Sequence, residues 1–234
     1  MSVTVPVPDA PVTSVAEAIA RMEAIDAALP ATDGIACFNR MYLGVTTEVD
    51  SRISTGFFAD PAFMTQLDVA FANEYFAAAG SLGDLAAVPA AWLPLAQRRD
   101  VPGIESIQFA LAGMNAHINH DLPLAVVSTC EALATAPEDG PHFADYQKVD
   151  QLLDAAEQSV RQSFETAAEQ AADRHLAAVA DLIGNWSIND ARDLAWTNSL
   201  LLWSLRDDQI ARGLFLDTLA ASTALASRLL LVAV

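Results

Sequence analysis

The stretch Asp60-Pro61-Ala62-Phe63-Met64-Thr65-Gln66-Leu67-Asp68-Val69-Ala70-Phe71-Ala72-Asn73-Glu74-Tyr75-Phe76-Ala77-Ala78-Ala79-Gly80 spells out a complete helix. Asp60 can accept hydrogen bonds from the first free N–H groups. Pro61 suits the first helical position, where no donor is needed, and Gly80 marks the stop. Between them Phe63, Leu67, Ala70, Phe71, Glu74 and Ala78 fall on one face at helical spacing. The spacing predicts a helix from Pro61 to Ala79. Glu74 lies in the middle of its apolar face. It must therefore be paired, carry a raised pKa, or sit at the edge of the face and reach solvent.

The same signals recur on either side. Ser14 caps a helix to about Leu29, with Val15, Ile19, Met22 and Ile25 on one face. Asp33 caps a second helix from Gly34 to about Ile53. Residues 80–88 read as a loop and Pro89–Arg99 as a short helix. Ile104–Leu133 is the most apolar segment, and Pro123 is expected to kink or end its helix. After a turn-rich stretch at Ala136–Pro141, a polar helix is predicted from about Ala144 to Ala172, continued or restarted over Arg174–Ile183. Ser187 caps a helix through Leu205, and Asp207 or Asp208 starts the last. The 46 alanines favour helix throughout, and no segment sustains a period of two. The expected fold is all-α: one bundle-like domain of about eight or nine helices over residues 13–234. Residues 1–12, with Pro6, Pro8 and Pro11, read as a flexible arm.

Composition narrows the function. Asp plus Glu number 30 against 12 Lys plus Arg, a net charge of −18, which disfavours nucleic acid and anionic membranes as partners. At 53% hydrophobic and 18% charged, the chain is too apolar for disorder. No uncharged apolar run reaches the length of a membrane span, and Asp217 and Arg228 interrupt the nearest candidate, Leu214–Val234. The N-terminus has neither the basic nor the apolar region of a secretory signal, so a cytoplasmic protein is expected. Cys37 and Cys130 read as small buried hydrophobes. The apolar tail Arg228–Val234, expected to be exposed as chain ends usually are, predicts self-association as a homodimer.

The chemistry concentrates in Gly113-Met114-Asn115-Ala116-His117-Ile118-Asn119-His120-Asp121-Leu122-Pro123, flanked by two apolar runs. Polar groups between buried segments are costly unless they meet each other, a ligand or a metal. On a helix His117, His120 and Asp121 fall at i, i+3 and i+4 and share one face, as acid/base pairs and metal ligands do. The bland reading is that Asp121 caps a new helix and the asparagines satisfy nearby backbone. Asn39, Tyr42 and Thr46 follow one another at helical spacing. Arg192 and Asn198 share a face of the Ser187 helix, where Arg192 could neutralise Glu74 or Asp121 or hold an anionic group. Trp186, Trp196 and Trp203 could wall a pocket. His142 and His175 read as surface histidines. The sequence contains no phosphate loop, serine-hydrolase elbow, Cys-x-x-Cys pair or His-Glu-x-x-His motif, which disfavours nucleotide binding and serine hydrolysis.

The segment Gly113–Leu122 resembles the signature Gly-Met-Asn-Ala-His-Ile-Asn-x-Asp-Leu of an uncharacterised bacterial family of helical proteins. Gly34–Leu43, Phe58–Tyr75 and Ala191–Trp196 look like the same family, and the resemblance covers most of residues 14–205. It implies a shared fold and a shared site, without a reaction.

The functional expectation is a small-molecule enzyme with a mostly apolar pocket and no cofactor. Its acid/base group is His117, oriented by Asp121 or Glu74 and with His120 beside them. Asn39, Tyr42, Asn115, Asn119, Arg192 and Asn198 are the expected substrate-binding residues. Cyclisation, isomerisation or hydrolysis of an apolar metabolite would suit such a site. One alternative is metal-dependent chemistry with the ion held by His117, His120 and Asp121. The other is a non-catalytic ligand-binding or assembly protein, whose polar cluster would be fully self-satisfied.

Overall fold

The predicted caps accept the hydrogen bonds expected of them. Ser14 accepts from Glu17 N, Asp33 from Ile35 N, Asp60 from Phe63 N, Ser187 from Asp190 N, and Asp208 from Ile210 and Ala211 N. In a computed structural model of the chain, which describes Val5, residues 10–153 and residues 187–233, these caps open five helices. They are α1 (Val15–Ala28), α2 (Gly34–Ile53), α3 (Pro61–Gly80), α8 (Ile188–Ser204) and α9 (Gln209–Leu230). Between them lie α4 (Leu93–Arg98), α5 (Ser106–Ala116), α6 (Leu122–Leu133) and α7, the helical residues 142–153. Strands are absent among the described residues, and the fold is all-α in one domain. The helical expectations over 154–183, together with His175 and Trp186, lie outside the described residues.

Pro123 neither breaks nor ends its helix. The helical path runs from Ser106 to Leu133 through a π turn, His117–Asp121, in which Leu122 N–H donates to His117 O five residues back. The wider turn absorbs one extra residue, and Pro123 then falls in the first turn of α6, where its missing donor is tolerated. Asp121 does not cap α6 with its side chain. Its carboxylate is used inside the molecule.

This α5–π–α6 rod is the axis of the bundle. Helices α2 and α9 pack on α5, α3 and α8 on α6, and α1 covers α2. The α2–α5 crossing is close because each helix sets a glycine against a phenylalanine of the other. A Cβ on Gly34 would lie 2.7 Å from Phe109, and one on Gly113 would lie 2.5 Å from Phe38.

The outermost described residues are tied in at both sides. Val12 exchanges two backbone hydrogen bonds with the Asn73 side chain on α3, and Val5 and Val12 are buried. The C-terminal tail is not the exposed apolar end that the sequence suggested. Leu230 and Leu231 are buried, Gln108 donates to the carbonyls of Leu230 and Val232, and Arg98 donates to that of Leu231. The apolar side chains left in solvent include Ile210, Leu214, Leu225 and Leu229 along α9. No helix among the described residues is long and apolar enough to cross a membrane.

Candidate functional site

The π turn brings two histidines onto one carboxylate. His117 Nδ1 lies 3.0 Å from Asp121 Oδ2, and His120 Nδ1 lies 2.7 Å from Asp121 Oδ1. Trp92 Nε1 donates to Oδ2 at 2.9 Å. Burial would raise the Asp121 pKa, but the hydrogen bonds and charges of the two histidines hold it below the usual carboxylate range. An ionised carboxylate only accepts, so both rings present Nδ1–H to it. Burial keeps the His117 pKa below its ordinary value despite the pull of Asp121. The ring is therefore neutral near pH 7, with Nε2 unprotonated. For the more exposed His120, burial also lowers the pKa, but the Asp121 hydrogen bond and the charges of Asp121 and Glu74 outweigh it and the value rises.

His117 Nε2 has no hydrogen-bond partner, although the side chain is 2% exposed. The ring is fixed by an aromatic box. Phe71 stacks on it at 3.5 Å between centroids, Tyr42 and Phe38 meet it edge-on at 4.5 and 5.5 Å, and Trp92 lies beyond. His117 is one of the residues lining a cavity of about 80 Å³ between α2, α3, the π turn, α7 and α8. That is roughly five to eight times the least space that holds one water. The walls are apolar, with Met41, Val45, Met64, Leu67 and Phe71 among them.

Two more polar side chains of this lining end in buried atoms: Asp68 Oδ2 has no partner, and Tyr42 Oη has only the Thr46 hydroxyl beside it. Burial, reinforced by the charge of Asp68, lifts the Tyr42 pKa well above its ordinary value, while the Thr46 hydroxyl pulls the other way. Burial and the neighbouring Asp50 push Asp68 up to about 7.

The other expected site residues separate. Arg192 reaches the cavity wall, but its guanidinium is held by Asp150, by the Tyr146 carbonyl and by the Tyr146 ring 4.1 Å below it. It pairs with neither Glu74 nor Asp121. Glu74 is half-buried at the edge of the His120–Asp121 pair; burial and the charge of Asp121 push it up to about 7, against the pull of His120. Asn39 binds the Met22 carbonyl and accepts from Tyr75 Oη, a packing role. Asn115 donates to Thr223 O and Ser227 Oγ and accepts from Asn119. Asn115, Asn119 and Asn198 line a different, open cleft against α9. His142 is not a surface histidine: it is 4% exposed, stacked on Phe63 at 3.9 Å, with Nε2 3.4 Å from Asp60. Among the described residues no group of three or more His, Cys, Asp or Glu side chains is arranged to hold a metal ion. His117 and His120 each hydrogen-bond to Asp121 through Nδ1.

Asp68 is the site residue the sequence reading missed. The signal was present, because Met64, Asp68, Phe71 and Tyr75 follow at spacings of four, three and four along α3. Trp92, which anchors Asp121 from α4's approach, carried a weaker one: a buried indole N–H needs an acceptor.

Fold and site together define an all-α protein with a buried His–carboxylate pair facing an apolar cavity. The chain belongs to a family of unknown function, DUF5995, whose model matches residues 15–233. Neither the curated proteins nor the solved structures contain a match to the chain.

Proposed function

We propose that the protein is a small-molecule enzyme in which His117 is the general base and the apolar cavity holds the substrate. The observation that carries this reading is the unpartnered Nε2 of His117, a residue of the cavity lining, on a ring whose other nitrogen is fixed by Asp121. A cluster that only set helix register would satisfy itself, because an orphaned buried acceptor costs roughly 1–3 kcal/mol. Here one acceptor is left unpaired on a residue of the cavity wall. No side chain hydrogen-bonds Nε2, so the proton it takes comes from the substrate or from a bound water. Isomerisation, cyclisation and hydrolysis remain the matching reactions. The neutral state of His117 and Tyr42 suits a neutral, apolar substrate.

Two measurements test this. Nitrogen-15 NMR of His117 at pH 7 is expected to report a neutral ring protonated at Nδ1, whereas an imidazolium or an Nε2–H tautomer would count against a base. His117→Phe keeps an aromatic ring in the box and leaves Asp121 its bonds to His120 and Trp92. Its Tm is expected to match or exceed that of the wild type, as for a residue kept for chemistry. A loss of roughly 4–10 °C, at about 2–4 °C per kcal/mol, would mark His117 as structural.

A further inference from the structure

The cavity offers a specific hydrogen-bonding pattern. One atom, His117 Nε2, can only accept from a ligand while the ring is neutral with Nδ1–H on Asp121. Two other residues of the same lining, Asp68 with an unpartnered Oδ2 and Tyr42 with only the Thr46 hydroxyl beside its Oη, add polar atoms. The Tyr42 ring meets His117 edge-on at 4.5 Å, and Asp68 lines the same cavity from α3. In its protonated form each can donate. Two donors and one base around an apolar space match an oxygen with two lone pairs beside a removable hydrogen.

We propose that the cavity takes a neutral, apolar carbonyl compound, whose oxygen is received by Tyr42 Oη and the Asp68 carboxyl and whose adjacent C–H faces His117 Nε2. This rests on the reading of His117 as the base. Nε2 takes the proton from carbon. The C–H pair becomes a C=C bond, and the carbonyl π pair moves to oxygen. The developing enolate is held by the two O–H donors. The imidazolium, paired with Asp121, returns the proton to the same carbon, or to the far end of a conjugated double bond, which migrates. Protons and electrons balance without a second reactant. The state of Asp68 fits the role, since a carboxyl pushed up to about 7 keeps its proton below neutrality.

The test uses the full chain at pH 6 with three probes. Cyclohexanone in deuterium oxide reports α-hydrogen exchange by NMR. Phenol, a planar mimic of an enol, and benzene report binding. Wild type is expected to accelerate exchange and to bind phenol at least tenfold more tightly than benzene. Tyr42→Phe and Asp68→Leu should each lower the exchange rate tenfold or more and erase the preference for phenol, with benzene affinity unchanged. His117→Phe should abolish exchange. Benzene binding with no preference for phenol, or a phenol preference without ketone exchange, overturns the carbonyl assignment and leaves the cavity as a ligand site. Exchange that survives in His117→Phe overturns the reading of His117 itself. Failure of wild type to bind either aromatic overturns both. Far-UV circular dichroism of each variant separates a lost fold from a lost site.

Discussion

Asp68, half-buried with one carboxylate oxygen enclosed, and His117, fully buried, show how a titratable group inside a fold is tolerated in two different ways. His117 is supported by Asp121 and an aromatic box, so that it stays neutral and oriented. Asp68 has no such support, and its pKa rises from 3.8 to about 7. The sign of its effect on stability follows. Between about pH 4 and 7 the folded chain keeps a proton on Asp68 that the unfolded chain has released. More protons bound in the folded state means that stability falls as pH rises through that window, and the loss is complete above it. Asp68→Asn removes the titration. Calorimetry should find little difference from wild type near pH 4.5, and a lead for the variant of roughly 2–6 °C at pH 8. A lead that does not grow with pH would show that the carboxyl is not protonated in the folded state. The sequence made the His117–Asp121 pair legible because i, i+4 spacing survives in both α and π turns. It could not divide the asparagines between cavity and cleft, since one face of a helix can border two spaces.

At the scale of elements, the caps were written in single residues and the helices began where Ser14, Asp33, Asp60, Ser187 and Asp208 stood. The joint between α5 and α6 was not legible. Proline excludes an ordinary helix interior, but nothing in the pattern chooses between a kink, a stop and a π turn. Packing chooses, because α2 and α9 hold one half of the rod and α3 and α8 the other. Gly113 belongs to the same joint, a few residues before it. Two glycines give opposite predictions. Gly44 is exposed on α2, and a methyl added there would meet nothing within 4 Å. Its substitution by alanine should gain about 0.5–1 kcal/mol. Gly113→Ala would drive its methyl to 2.5 Å from Phe38, a ring that also stands edge-on to His117. Overpacking of this kind costs about 1–3 kcal/mol and outweighs the helix gain. Thermal melts should therefore move in opposite directions for the two variants. A rise for Gly113→Ala would mean that the α2–α5 crossing can open without cost.

Across the whole molecule, residues far apart in sequence close the fold, and composition carries no trace of which ones. Asp145 on α7 accepts from the backbone of Ala59 and Asp60, so it fixes the start of α3. Gln108 and Arg98 hold the carbonyls of Leu230, Leu231 and Val232, more than a hundred residues on. The tail looked uniformly apolar and therefore exposed, yet its side chains alternate sharply. Leu229 is 67% exposed, Leu231 is 0% and Val232 is 52%. Polar side chains on α4 and α5 provide the distinction by binding the backbone, which turns Leu230 and Leu231 into the core. Leu231→Ala should then behave as a core truncation, costing about 2–5 kcal/mol, because the cavity left behind cannot be filled from outside. Leu229→Ala, two residues away, should stay within about 0.5 kcal/mol of wild type. Denaturant titrations of the two variants decide the point through their midpoints at equal slope. Equal losses would return the tail to the exposed, frayed end that its sequence suggested. A large loss confined to Leu231 would show that the C-terminus is the last part of the core, seated against the α5 end of the rod that carries His117.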